Sequence, residues 1–128
     1  MVQEQVKNEW EHMVGVICLN QTGRKSVKKV LPELFLEFPT PEKLITGDLS
    51  KLEQILKPCG LNKIKAKRIL LMSKDYLTWD KQDATKLYGI GKYGSDSYQI
   101  FFKNNYNTNP TDKELIKWLK TNVKSTQM

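Results

Sequence analysis

Apolar residues return at intervals of three and four along almost the whole of this 128-residue chain, and no run alternates with the period of two that a half-buried strand needs. Trp10, Met13, Val14, Val16, Ile17 and Leu19 mark a largely buried helix over about residues 3–20. Val27, Val30, Leu31, Leu34, Phe35 and Phe38 mark a second, ended by Pro39, with Pro32 either bending it or lying near its first turn. Thr40-Pro41-Glu42 is a helix start: a capping hydroxyl, a proline at the first helical position and an acid at the positive end of the dipole. Asp48 opens a short helix that Pro58 to Gly60 stops, and Ile64, Ile69, Leu70 and Met72 carry another to about Tyr76 and Leu77. Tyr98, Ile100, Phe101 and Phe102 mark one more. Pro110 and Thr111 open the last, which places Leu115, Ile116, Trp118 and Leu119 on one face. Short helices with short connections predict an all-α class, a compact helical array forming one domain over residues 1–123, with a disordered tail at 124–128.

The charge balance narrows the partner. Lys and Arg number 21 against 14 acids, a formal net charge of +7, which favours a polyanion because neutralised phosphates release counterions. The densest basic stretch holds Lys57, Lys63, Lys65, Lys67, Arg68 and Lys74; either it faces phosphates or it is a solvated helix face. Residues 63–68 also have the composition of a nuclear import signal. Cys18 and Cys59 stand in unrelated contexts beside a single histidine, His12, so zinc or iron–sulfur spacing is missing, and the reading is two reduced, buried thiols in a reducing compartment. No stretch approaches a membrane span or a signal peptide's apolar region, which predicts a protein that is neither membrane-bound nor secreted.

The sharpest local motif is Leu87-Tyr88-Gly89-Ile90-Gly91-Lys92-Tyr93-Gly94. Two glycines around an aliphatic residue between helical segments permit a tight hairpin with exposed main-chain N–H groups, which can hold a DNA phosphate. An ordinary helix connection would read the same way. Downstream, Asn109-Pro110-Thr111-Asp112 puts a carboxylate in the first turn of the last helix, where an acid can serve chemistry or merely complement the helix dipole.

Taken together these segments resemble the helix-hairpin-helix, glycine/proline-rich, aspartate (HhH-GPD) superfamily of DNA glycosylases. Within it, Trp10 to Asn20 followed by Thr22, Leu56-Lys57-Pro58-Cys59-Gly60-Leu61 with Ala66-Lys67, Asp75-Tyr76-Leu77-Thr78, and Gly89 to Tyr98 look like the glycosylase domain of the methyl-CpG-binding thymine DNA glycosylase family. The similarity runs in order from about Val2 to Trp118. It implies a helical array with a helix-hairpin-helix DNA-binding element. It further implies that Asp112 and Tyr93 are the catalytic pair, and that Tyr93 and Gln3 line the base pocket. Leu61 corresponds to the wedge that enters the vacated stack, and Gly89, Gly91 and Gly94 to the hairpin that grips the backbone, flanked by Lys92. Lys63 and Lys67 lie on the basic stretch beside the wedge. Without the resemblance, Leu61 reads as a buried turn leucine and Tyr93 as a packing tyrosine.

The implied activity is monofunctional base excision: a mispaired thymine or uracil, from G·T or G·U, is flipped out of duplex DNA and its N-glycosidic bond hydrolysed. No metal or other cofactor is called for, and the implied partner is double-stranded DNA with a mispaired or damaged pyrimidine, bound by a monomer in the nucleus or another DNA-containing compartment. Bifunctional relatives place a lysine where Tyr93 stands; a phenol forms no Schiff base, so no lyase step is expected.

Two positions depart from the pattern. Gln21 stands where the family usually has an arginine toward the opposite strand, and Glu114 where it commonly has lysine, which would weaken DNA binding or perturb Asp112. The chain starts at the pocket segment without a methyl-CpG-binding domain, as a minimal enzyme or an excised domain would. The competing functional readings are a catalytically impaired helix-hairpin-helix DNA-binding module and a helical protein–protein adaptor.

Overall fold

A computed structural model describes residues 6–106, 108 and 110–122. Among these the chain forms seven α-helices and no strand: α1 (Glu9–Leu19), α2 (Arg24–Glu37), α3 (Pro41–Thr46), α4 (Leu49–Ile55), α5 (Asn62–Tyr76), α6 (Lys92–Phe102) and α7 (Lys113–Asn122). Single 3₁₀ turns at Lys57–Cys59 and Ala84–Lys86 lead into α5 and toward α6. The all-α array expected from the spacing is what forms. Gln3 and the tail at 124–128 lie outside the described residues.

Short side chains set the helix starts. Thr40 accepts from the Lys43 amide and Asp48 from the Ser50 amide, as their positions implied. The first helix is shorter than the spacing suggested. Asn8 is extended and accepts from the Glu11 amide at 2.9 Å, while the Glu11 carboxylate accepts from the Lys7 amide at 3.1 Å, so the helix begins at Glu9 rather than near residue 3. Pro32 sits inside α2, which continues past it to Glu37.

Helix α1 is the axis of the domain. Every residue from Trp10 to Cys18 is buried, and the helix packs against α2, α5 and α6. Trp10 is anchored across the core: its indole N–H donates to Ser73 Oγ at 2.9 Å, and that hydroxyl donates to the Ile69 carbonyl at 2.7 Å. A second, smaller apolar cluster joins α7 to α6 through Ile100, Leu115 and Leu119, with the Phe101 and Trp118 rings 4.8 Å apart. Tyr93 touches both clusters and so sits at the seam between them.

Helix α7 also starts later than Pro110 and Thr111 suggested. Asp112 precedes the helix and caps it, its Oδ2 accepting from the amides of Glu114 at 2.9 Å and Leu115 at 3.0 Å. The carboxylate expected in the first turn is therefore the cap itself.

Candidate active site

Glycines and one buried isoleucine shape the hairpin before α6. Gly89 has φ +80°, a left-handed conformation that favours glycine. It lets Ile90 turn inward, where it is buried and its amide donates to the Leu87 carbonyl at 3.1 Å. The Tyr88 amide donates to Asp75 Oδ2 at 2.9 Å, so the end of α5 holds the hairpin's outer arm. A Cβ on Gly91 would meet nothing within 4 Å, and no side chain caps the N-terminus of α6 that follows. Main-chain N–H groups there stand at the positive end of a helix dipole, beside open space. Gly94, expected with the backbone-gripping glycines, is buried: its missing Cβ would lie 2.7 Å from Ile90 Cγ2 and 3.0 Å from Val16 Cγ1. Its service is close packing of α6 on α1. The Lys92 ammonium donates to Asp96 Oδ2 at 2.9 Å.

Between this hairpin, the C-terminal end of α1 and the start of α7 lies a cavity of about 1140 Å³. Tyr93 and Asp112 both line it, as do Gln21, Gly89, Gly91 and Lys92. The phenol and the carboxylate thus face one cavity although nineteen positions separate them in the chain. Both Asp112 hydrogen bonds fall on Oδ2, which leaves Oδ1 without a protein donor among the described residues. Glu114, the second carboxylate at this place, is paired: Arg24 Nη1 donates to its Oε2 at 3.1 Å. The local charge that threatened to repel DNA is met by an arginine from the start of α2.

Two turns hold a non-glycine residue in a left-handed conformation, Gln21 at φ 56° and Leu61 at φ 48°; Gln21 lines the cavity with the hairpin, whereas Leu61 is not among the cavity-lining residues. Leu61 is 43% exposed, so it is not a buried turn leucine. The left-handed turn thus presents an apolar side chain to water at the start of α5. Lys63 and Lys67 are exposed on the helix that Leu61 precedes.

Lys65, in the same basic stretch, is not on the surface. Its side chain is fully buried, and its ammonium donates to the carbonyls of Cys18 at 2.9 Å and Cys59 at 3.0 Å and to the Thr22 hydroxyl. Thr22 donates in turn to the Cys59 carbonyl. This network stitches the Gln21 turn to the Leu61 turn, a linkage that the composition of the stretch concealed. Its signal was phase: Lys65 shares a helical stripe with Ile69 and Met72, not with Lys63 and Lys67.

Burial pulls the Lys65 ammonium below the ordinary lysine range, while the neighbouring cysteine sulfurs pull it back. The two thiols that looked unrelated in the chain are neighbours in the fold. Cys18 donates its thiol hydrogen bond to Cys59, which brings Cys59 down to about 7 against its burial, with Lys65 assisting. The same bond, together with burial, holds the Cys18 proton on well above the usual thiol range. Among the described residues, no group of three or more His, Cys, Asp or Glu side chains is placed to hold a metal ion.

Residues 14–123 match the HhH-GPD superfamily of base excision DNA repair proteins. The chain belongs to that superfamily. It is 31% identical over 107 residues to the methyl-CpG-binding domain protein 4-like protein of Arabidopsis thaliana, a match covering 83% of this chain and 24% of that protein. Over 93 residues it is 22% identical to the thymine/uracil-DNA glycosylase of Pyrobaculum aerophilum, covering 67% of this chain and 40% of the other. A solved trapped covalent intermediate of endonuclease III with DNA, an estranged-adenine complex, superposes with a TM-score of 0.74 at 24% identity, covering 90% of this chain and 57% of that one. The HhH-GPD chain thus spans less than two thirds of the length of each of these proteins.

Proposed function

We propose that this HhH-GPD protein is a monofunctional DNA glycosylase that extrudes a mispaired thymine or uracil from duplex DNA and hydrolyses its N-glycosidic bond. The observation that carries the reading is the shared cavity: Asp112 and Tyr93 line one space beside the hairpin. That space, about 1140 Å³, is somewhat larger than the usual small-molecule pocket of about 300–1,000 Å³ and ample for an extruded pyrimidine.

In this reading the DNA backbone lies against Gly89, Gly91 and the uncapped start of α6, with Lys63, Lys67 and Lys92 toward phosphates. Leu61 enters the stack that the base has left, and Gln21, on the turn stitched to it, meets the orphaned partner. Tyr93 offers a ring to stack on the extruded base and a hydroxyl for its edge. Asp112 stabilises the oxocarbenium-like sugar as the base departs and orients the attacking water, with Oδ1 the oxygen left for that work. Gln3 belongs to the same pocket by resemblance and lies outside the described residues.

The residue at position 93 supports a reaction without a lyase step. The phenol of Tyr93 cannot form a Schiff base. The protein acts as a monomer wherever duplex DNA is kept; no helix among the described residues is long and apolar enough to cross a membrane.

Incubation with labelled duplexes holding one G·U or G·T pair, followed by alkali, tests this directly. We expect strand breaks at the mispaired pyrimidine only after alkali, none with Asp112→Asn, and no adduct trapped by borohydride. Salt-sensitive binding without product would support a DNA-binding module instead, and a trapped adduct would overturn the monofunctional mechanism.

A further inference from the structure

Asp112 sits at the end of a helix that is lightly held. The apolar face of α7 reaches the rest of the domain through Ile100, Leu115 and Leu119, a cluster on the α6 side. At the N-terminal end, where the carboxylate lies, a polar tie crosses the cavity. Arg24 Nη1 meets Glu114 Oε2 at 3.1 Å, joining residues 90 positions apart. The amide of that same Glu114 donates to Asp112 Oδ2 at 2.9 Å. A guanidinium at the start of α2 is thus connected to the Asp112 carboxylate through a single intervening residue, and Arg24, Asp112 and Glu114 all line the cavity.

We infer that Arg24 and Glu114 are positioning residues: their ion pair straps the start of α7 to the start of α2 and sets where the Asp112 carboxylate stands. The inference rests on the glycosylase reading of this cavity. The pair is 45% and 39% exposed, and exposed pairs contribute little to global stability. The geometry of a reacting group is far more sensitive, since misplacement by about 1 Å can cost about 10²-fold in rate. A second feature separates the strap from a phosphate contact. In the glycosylase reading Glu114 stands beside the DNA, where its pairing with Arg24 takes up an arginine that could otherwise meet phosphate, so for binding alone it brings no advantage. Its presence is explained by what it holds.

Binding and chemistry therefore respond to Glu114→Gln in opposite senses. We expect the variant to bind a G·U duplex as tightly as the native chain or more tightly, while its single-turnover excision rate at saturating protein falls by about 3- to 10-fold. Arg24→Gln lowers the rate by a similar factor and also weakens binding. The charge-swapped double variant, Arg24→Glu with Glu114→Arg, recovers most of the rate lost by Arg24→Glu alone. Amide hydrogen exchange supplies a readout that needs no substrate: the Glu114 and Leu115 amides, which donate to Asp112, exchange faster in Arg24→Gln while those of α1 do not. An excision rate for Glu114→Gln within twofold of native, or a double variant no faster than Arg24→Glu, would overturn the positioning role. Unchanged exchange in Arg24→Gln would overturn the strap itself. A native chain that yields no product refutes the glycosylase reading, and the exchange experiment tells that failure apart from failure of the strap.

Discussion

Lys65 donates from its buried ammonium to the carbonyl oxygen of Cys59 at 3.0 Å, and the same nitrogen reaches the Cys18 carbonyl and the Thr22 hydroxyl. Replacing it with methionine keeps most of the volume but leaves the carbonyls without this charged donor, and an unsatisfied buried polar group costs about 1–3 kcal/mol. We expect Lys65→Met to lose about 2–4 kcal/mol of unfolding free energy, read from the urea midpoint. Exposed Lys63→Met and Lys67→Met should stay within about 0.5 kcal/mol of native. A midpoint for Lys65→Met equal to those two would show that the network does not bear on stability.

Lys65 also shows where reading the chain succeeds and fails. The helical array, the capping roles of Thr40 and Asp48, and the hairpin around Ile90 are local: each depends on residues a few positions apart, and the spacing displays them. What escaped is non-local or a matter of one residue's phase. Lys65 matches its basic neighbours in composition, and only its phase on the helix sets it apart from Lys63 and Lys67. The Cys18 and Cys59 contact and the Arg24 and Glu114 pair join distant segments, and no spacing encodes them. The starts of α1 and α7 moved because Asn8 and Asp112 satisfy amides at which an apolar count would continue or begin a helix.

The glycines of the hairpin should respond differently to alanine. At Gly89 the backbone is left-handed, so Gly89→Ala carries a cost of about 1–2 kcal/mol although there is room for the methyl. At Gly94 the added carbon collides with Ile90 and Val16, and overpacking of this kind costs about 1–3 kcal/mol. Gly91 has φ −104° and nothing within 4 Å of an added Cβ, so Gly91→Ala should melt within about 0.5 kcal/mol of native. If a phosphate approaches there, the same variant binds duplex DNA more weakly. Thermal melts and a binding titration check both points, and a Gly91→Ala protein as unstable as Gly94→Ala would refute the distinction.

His12 should make the fold sensitive to mild acid. It is buried between α1 and α6, its Nε2 hydrogen-bonded with Ser97 Oγ at 3.0 Å and its ring 5.1 Å from that of Phe102. Burial lowers its pKa from 6.5 to about 4. The unfolded chain therefore takes up the proton first as pH falls, so the stability associated with neutral His12 is full above about pH 6.5 and is lost progressively toward pH 4. The full linkage amounts to about 3 kcal/mol. Carboxylates titrate in the same window, so the quantity to measure is the difference in urea stability between native protein and His12→Gln at each pH. That difference should shift by about this amount between pH 7 and pH 4; a constant difference would mean that His12 does not titrate on unfolding.

Asp112 is a helix cap and, in the proposed mechanism, the reacting carboxylate, and substitution separates the two. As a cap it accepts from two amides through Oδ2, and asparagine caps about as well as aspartate. Asp112→Asn should therefore keep the native melting temperature, and Asp112→Ala should lose about 1 kcal/mol with the cap. If the carboxylate is the charge that meets the sugar, it has no neutral substitute, so both variants should lose at least about 10²-fold in single-turnover excision. Removing a negative charge also predicts DNA binding by Asp112→Asn that equals or exceeds native. A stable, tightly binding and inactive Asp112→Asn protein would place the residue in the chemistry; an Asp112→Asn protein that excises at the native rate would leave it a helix cap and nothing more.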